Sequence, residues 1–250
     1  MDTLKTIFEH RSIRSYQNKE VSKEVLDNIL EAAIRTSTTG NMQVYSIIVS
    51  QDEEMKKELH KIHFGQNMVL EAPIVLTFNA DFNRFNKWCE QREAEPGYDN
   101  FLSFFTASID ALIAAQNAAI AAEAQGLGIC YLGTTTYQAQ KLIDLFNLPN
   151  GVIPVTTLVI GYAKDIPELT DRLPKEAVVH YESYKDYSKE DIDKMYEDKE
   201  SLEETKKLLE ENKLETLAQI FTQNRYPKQM NIDFSNLFLK VINKQGFMNQ

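Results

Sequence analysis

The run Glu9-His10-Arg11-Ser12-Ile13-Arg14-Ser15-Tyr16 gathers two arginines, a histidine and two serines around one isoleucine. Arg11 can present a planar fork of N–H donors to a phosphate, with the Ser12 hydroxyl beside it. In an extended stretch Ser12 and Arg14 point the same way while Ile13 points into the core. Two cationic groups and a hydroxyl would then meet one anionic, planar ligand. The same charges also suit a surface helix end, where cations face the negative end of the dipole. Charge and spacing alone lean slightly to that second reading.

No other constellation competes with it. The chain has no nucleophile elbow, HExxH or Walker motif. The "GLGIC" phrase at 126–130 is not a full GxGxxG after a strand, so no Rossmann dinucleotide site is expected. Cys89 and Cys130 lie far apart without metal-ligand spacing, which suggests neither a disulfide framework nor zinc and fits a reduced compartment. The net charge is -10 and the pI about 5.0, which argues against broad nucleic-acid binding. Small anions are the expected targets of local basic clusters. Asp2, Lys5, Glu9 and His10 leave no signal-peptide core at the N-terminus, and the apolar stretch 107–128 carries Asp110 and Glu123. That stretch reads as a buried Ala-rich helix, not a membrane span, and a cytoplasmic protein is expected.

The elements that must position the cluster alternate. Residues 3–10 read as a helix with Leu4, Ile7 and Phe8 on one face. Residues 22–37 read as a helix capped by Ser22, with Val25, Leu26, Ile29, Leu30 and Ala33 as its apolar stripe. A polar loop at 38–43 precedes a strand at 44–50; an exposed helix spans 52–63, and a central strand 73–81. Residues 83–101 carry no clear periodicity, and Pro96 and Gly97 suggest a loop there. The Ala-rich helix, a strand at 129–133, a helix at 136–147 and a strand at 152–163 follow. This order predicts an α/β or mixed α+β sandwich. From about Pro174 the composition turns charged, and 186–215 reads as a solvated helical appendage held by (i, i+4) ion pairs. The amphipathic segment 234–247, with Leu237, Phe238, Val241 and Ile242 on one side, is expected to dock on this domain or on a partner subunit.

The "HRSIRSY" run followed by the Ser22 helix resembles the N-terminal signature of the FMN-dependent nitroreductase superfamily. The resemblance extends to its oxygen-insensitive NADPH nitroreductase and flavin reductase branch. It continues through "TSTTGNMQ", the "GQ" at 65–66, "AAQNAAIAAEAQGLGICYLG" and "PELTDRLP", in that order, over roughly residues 3–184. It implies an α+β three-layer sandwich with a central mixed, mainly antiparallel sheet between helices, in a domain-swapped homodimer. It implies an FMN-binding domain at 1–184 and a charged helical extension at 185–250 packing on the dimer. His10, Arg11 and Ser12 would hold the FMN phosphate and ribityl end. Arg14 would reach the pyrimidine side of the ring and stabilise negative charge on reduced flavin. Thr38 would come from the other subunit, and Gln66 would hydrogen-bond the ring edge. Leu132, Gly133 and Thr134 would run along the ring, Gly133 allowing close approach because it lacks a Cβ. Arg172 would reach the phosphate from the far side. No side chain need act as acid or base. The reductant would be NADH or NADPH, and the acceptors nitroaromatics, quinones or flavins, taken in ping-pong order.

Two departures from the branch stand out. Thr170 replaces a lysine two residues before Arg172, which predicts looser flavin binding. The zone that meets the NADPH 2′-phosphate in the branch is acidic here (Glu197, Asp198, Glu200, Glu203, Glu204). It has lysines (Lys194, Lys199, Lys206, Lys207) but no arginine between Arg172 and Arg225. NADH, or little discrimination between the two nucleotides, is therefore expected. Other superfamily chemistry such as dehalogenation, and a non-enzymatic flavin carrier or sensor, are the rival readings.

Overall fold

The structure, a computed structural model, describes residues 2–250. Four strands, β1 (Tyr45–Ser50), β2 (Ile74–Asp81), β3 (Gly128–Leu132) and β4 (Val152–Gly161), form one sheet in the order β1-β2-β4-β3. Every neighbouring pair is antiparallel, with Ile74 opposite Ile160 and Gly128 opposite Gly161. Among the described residues, the parallel component of the expected mixed sheet is one bridge, Ser12 to Ile129, outside the four strands. β2 is central and buried along its whole length, as a strand covered on both faces must be.

The helices preceding the third strand are α1 (Thr3–Phe8), α2 (Lys23–Ile34), α3 (Glu53–Ile62), α4 (Met68–Glu71), α5 (Asn83–Glu90) and α6 (Phe101–Ala124). After it come α7 (Ala139–Phe146), α8 (Lys189–Ser201), α9 (Glu203–Asn212), α10 (Leu217–Gln219) and α11 (Lys228–Lys244). Alternation along the strands divides the core into two layers. Ile74, Leu76, Phe78, Ile129, Leu158 and Ile160 face α2 and α6. Val75, Cys130, Leu132 and Val159 face the helices that supply Leu59, Ile62, Met68, Val69 and Leu142. The result is helices, sheet, helices: three layers, as expected.

The starts of α2 and α3 follow their caps. Ser22 accepts from Val25 N at 3.3 Å and Asp52 from Met55 N at 2.9 Å. In α2 it is Leu26, Ile29 and Ala33 that are buried. α6 is long and apolar enough to cross a membrane, yet half of its most apolar stretch is buried inside the protein. Its alanines 111, 114, 115, 118 and 122 are fully enclosed against the sheet.

Several elements differ from the sequence reading. Residues 83–90 are helical, not loop: α5 begins without a side-chain cap or an acidic first turn, so the usual start signal is missing. Leu4, Ile7 and Phe8 of α1 are exposed in the chain, and Thr6 is its buried residue. The charged appendage is two helices broken at Leu202, whose ψ of 141° is extended. Its ion pair Lys206–Glu203 has (i, i+3) spacing.

The chain divides into two compact units. One is the part up to Leu169 with Asn236–Gln250, and the other is Thr170–Ser235. This division differs from a boundary at 184/185, because Val241, Ile242 and Phe247 join the same cluster as Val44, Ala80, Phe82, Phe104 and Ile153. Within the second unit, Ser188 and Asp191 make a reciprocal capping box, and Lys199 pairs with Asp171 at 2.7 Å.

Candidate functional site

After α1 the chain runs extended along the edge strand β3. Ser12 bridges to Ile129 in parallel, and Ile13 N donates to Ile129 O at 2.8 Å. Ile13 is buried, Arg14 is exposed and Ser12 is part-exposed. That is the alternation an extended strand dictates, and it excludes the helix-end reading of the cluster. Two features hold the segment in place. Tyr16 is buried and its hydroxyl donates to Ile13 O at 2.8 Å. Gly128 lets Ile13 lie flat on β3, since a Cβ there would come within 2.5 Å of Ile13 Cγ1. Tyr16 N in turn donates to the Glu71 carboxylate at 3.0 Å.

The structure separates the directions of the two arginines. Arg14 acts on the groups beside it: its charge opposes the upward push that burial gives the Cys130 thiol and the Tyr16 phenol. Arg11 lines a cavity of about 240 Å³ with Thr6, Glu9, Glu123 and Ile166. Its Nη1 donates to Glu9 O at 2.8 Å, while its Nε is buried without a hydrogen-bond partner among the described residues. His10 Nδ1 lies 2.7 Å from Glu123 Oε1, at the end of α6.

Beyond β3 the chain turns at Leu132, Gly133 and Thr134. Leu132 is buried and Gly133 exposed. The Thr135 hydroxyl donates to Leu132 O at 3.0 Å and lies 2.9 Å from the Thr157 hydroxyl, which pins the turn to β4. Thr134 Oγ1 accepts from Gln66 Nε2 at 3.3 Å and lies 2.7 Å from His63 Nδ1. Thus Ser12, Arg14, the 132–134 turn and Gln66 belong to one neighbourhood, joined by strand pairing and side-chain bonds.

Thr38 is anchored elsewhere. It precedes a single 3-10 turn, Thr39–Asn41, and Thr39 N and Oγ1 donate to Asp110 Oδ1 on α6 at 2.9 and 3.2 Å. Arg172 belongs to the second unit, where its Nη1 donates to the carbonyls of Thr170 and Asp171. Sequence reasoning passed over His63, Asp110 and Glu123. Only Glu123 and Asp110 left a signal, as acids inside an otherwise apolar helix.

Three observations fit a phosphorylated, flat, electron-accepting ligand such as FMN. Gly133 is not required by its backbone angles, and a Cβ on it would meet nothing within 4 Å. No crowding inside the chain calls for glycine there, and the open space suits a ring laid against the turn. The orphaned Arg11 Nε leaves a buried donor without an acceptor. Arg14 is exposed on the segment that pairs with β3, where its guanidinium can face a developing negative charge.

Comparison with known proteins agrees. The nitroreductase family profile matches residues 7–162. An FMN reductase [NAD(P)H] of Bacillus subtilis is 38% identical over 188 residues, covering 73% of this chain and 74% of the relative. A solved structure from Bacteroides fragilis superposes with a TM-score of 0.96 at 51% identity, covering 100% of both chains. The NfrA1 nitroreductase of Bacillus subtilis superposes with a TM-score of 0.85 at 29% identity, again covering 100% of both.

Proposed function

The chain belongs to the nitroreductase family, and from that premise we propose that it is an FMN-dependent NAD(P)H oxidoreductase acting on nitroaromatics, quinones or free flavins. The observation that carries this reading is the parallel bridge from Ser12 to Ile129. It puts the cationic run and the glycine turn that ends β3 on one edge of the sheet. FMN held at this edge would supply the redox chemistry, hydride transfer between a nicotinamide and an electron acceptor.

The chain's own residues do the rest. Arg14 holds a fixed positive charge where the ring gains electron density. Ser12 and Arg11 offer donors to the ribityl and phosphate end. The Leu132–Thr134 turn presents backbone to the ring face, and Gln66 an amide to its edge. Arg172 is assigned to the phosphate by the resemblance. No group here must titrate near neutrality for this chemistry.

A homodimer is part of the proposal. Leu102, Phe105, Ile109 and Leu112 form an exposed apolar stripe on α6, opposite the buried alanines. α1, with Leu4, Ile7 and Phe8 exposed, lies against the same helix. Apolar surface of this extent is what a second copy would cover, and Thr38 would then reach the partner's flavin. A cytoplasmic location is proposed on the absence of paired or metal-spaced cysteines.

The test is turnover. NADH and NADPH oxidation by the FMN-loaded protein is followed with menadione, nitrofurazone, FMN and a halogenated phenol in parallel. Turnover with the first three supports the reading, and turnover with the halogenated phenol alone would move it to dehalogenation. Tight flavin binding with no turnover by any acceptor would favour the carrier.

A further inference from the structure

His63 follows α3 as its C-cap and is fully buried. Its Nδ1 lies 2.7 Å from Thr134 Oγ1, and its Nε2 has no hydrogen-bond partner among the described residues. Burial lowers its pKa from 6.5 to about 4, so at neutral pH the ring is uncharged and carries one proton. If that proton sat on Nε2, a buried N–H would be orphaned. With the proton on Nδ1, only a ring lone pair is left bare, the cheaper of the two defects. Nδ1–H then donates to Thr134 Oγ1.

Gln66 occupies the other side of that oxygen. Its Nε2 donates to His63 O at 3.0 Å and to Thr134 Oγ1 at 3.3 Å. The His63 carbonyl can only accept, which fixes the orientation of the amide. Thr134 Oγ1 therefore receives two donors, filling both of its lone pairs. Neither neighbour can take its hydrogen.

We propose that His63 and Gln66 make Thr134 an obligate hydrogen-bond donor, its hydroxyl proton committed to an acceptor atom on the flat molecule bound at the Leu132–Thr134 turn. This rests on the reading of that turn as a flavin edge. His63 is a positioning residue: it touches no ligand and acts by consuming the acceptor capacity of Thr134. Thr134 then selects ligands that present a carbonyl oxygen or ring nitrogen at that point. A ligand presenting an N–H there would leave two donors facing each other.

The first experiment needs no flavin. In the ¹⁵N-histidine-labelled protein, His63 should show its protonated nitrogen at Nδ1, with a proton coupled across to Thr134. A proton on Nε2 overturns the inference, whatever the protein does with FMN. The second measures FMN affinity by quenching of flavin fluorescence for Thr134→Val, Thr134→Ser and His63→Gln. The valine variant should bind FMN roughly three- to tenfold more weakly, the loss of one neutral hydrogen bond. The serine variant should restore binding. His63→Gln, which keeps an N–H donor, should stay near wild type. Valine binding as tightly as wild type overturns the proposal, as does serine binding as weakly as valine. Failure of the wild type to bind FMN instead removes the flavin reading, and the nitrogen assignment still decides the role of His63.

Discussion

Arg14 tests the electrostatic part of the proposed function at the scale of one side chain. It is exposed and packs into no core cluster, so Arg14→Ala should leave stability within about 0.5 kcal/mol. FMN affinity should fall by about tenfold or more, the scale of one lost charged contact, with slower reduction by NADH. Arg14→Lys should recover part of both. Stopped-flow reduction of the fully loaded variant at the wild-type rate would contradict the role. His63 makes a different prediction, about acid. Its folded-state pKa of about 4 lies below its ordinary 6.5, so the unfolded chain binds the proton first as pH falls. The stability from keeping it neutral is intact above about pH 6.5. It erodes as pH falls towards 4 and amounts to about 3 kcal/mol in all. Urea unfolding from pH 7 to 4 should therefore fall more steeply for the wild type than for His63→Gln; parallel curves would contradict it. Arg14 was legible because a charge cluster is visible in one dimension. His63 was not, because its meaning depends on Thr134, which is seventy-one positions away and reached only through the fold.

Among the elements, the extended segment 10–16 and β3 act as one unit. Their close approach depends on Gly128, where a Cβ would fall 2.8 Å from Ile13 Cβ, an atom that no rotamer change can move aside. Gly128→Ala should cost about 1–3 kcal/mol by overpacking. It should also weaken FMN binding, because Ser12 and Arg14 ride on the displaced segment. Thermal unfolding and flavin titration on the same sample check both, and a variant with wild-type values in each would show that the segment tolerates the shift. The strands β1 to β4 and helices α2, α3 and α6 were legible because their periodicity and caps are strong local signals. α5 was not. Its Phe85 packs against Phe82 and Tyr98, so aromatic contacts from outside the helix hold a segment that lacks its own start signal.

For the whole molecule, the proposed homodimer is tested at the exposed stripe on α6. Phe105→Glu should shift the protein from dimer to monomer in sedimentation while leaving its helix content intact, since Phe105 is about half exposed in the single chain. A dimer that survives this substitution together with Leu112→Glu would place the interface elsewhere. The alternation of strands and helices leads to an α/β or mixed α+β sandwich, and the three-layer order comes from the family resemblance. The return of Asn236–Gln250 to the first unit could not be read, because an amphipathic helix shows that it docks, not where. Nucleotide preference also belongs to this scale. The acidic composition of residues 197–204 gives a 2′-phosphate little to bind, so NADH should serve at least as well as NADPH. The most direct measurement of the central claim is therefore an anaerobic absorbance titration of the FMN-loaded, desalted protein with NADH and then NADPH. With FMN restored to the buffer where desalting removes it, as the Thr170 departure allows, the flavin bands should bleach on addition of NADH, at least as fast as with NADPH. Bands of bound flavin that bleach with neither nucleotide would contradict an oxidoreductase.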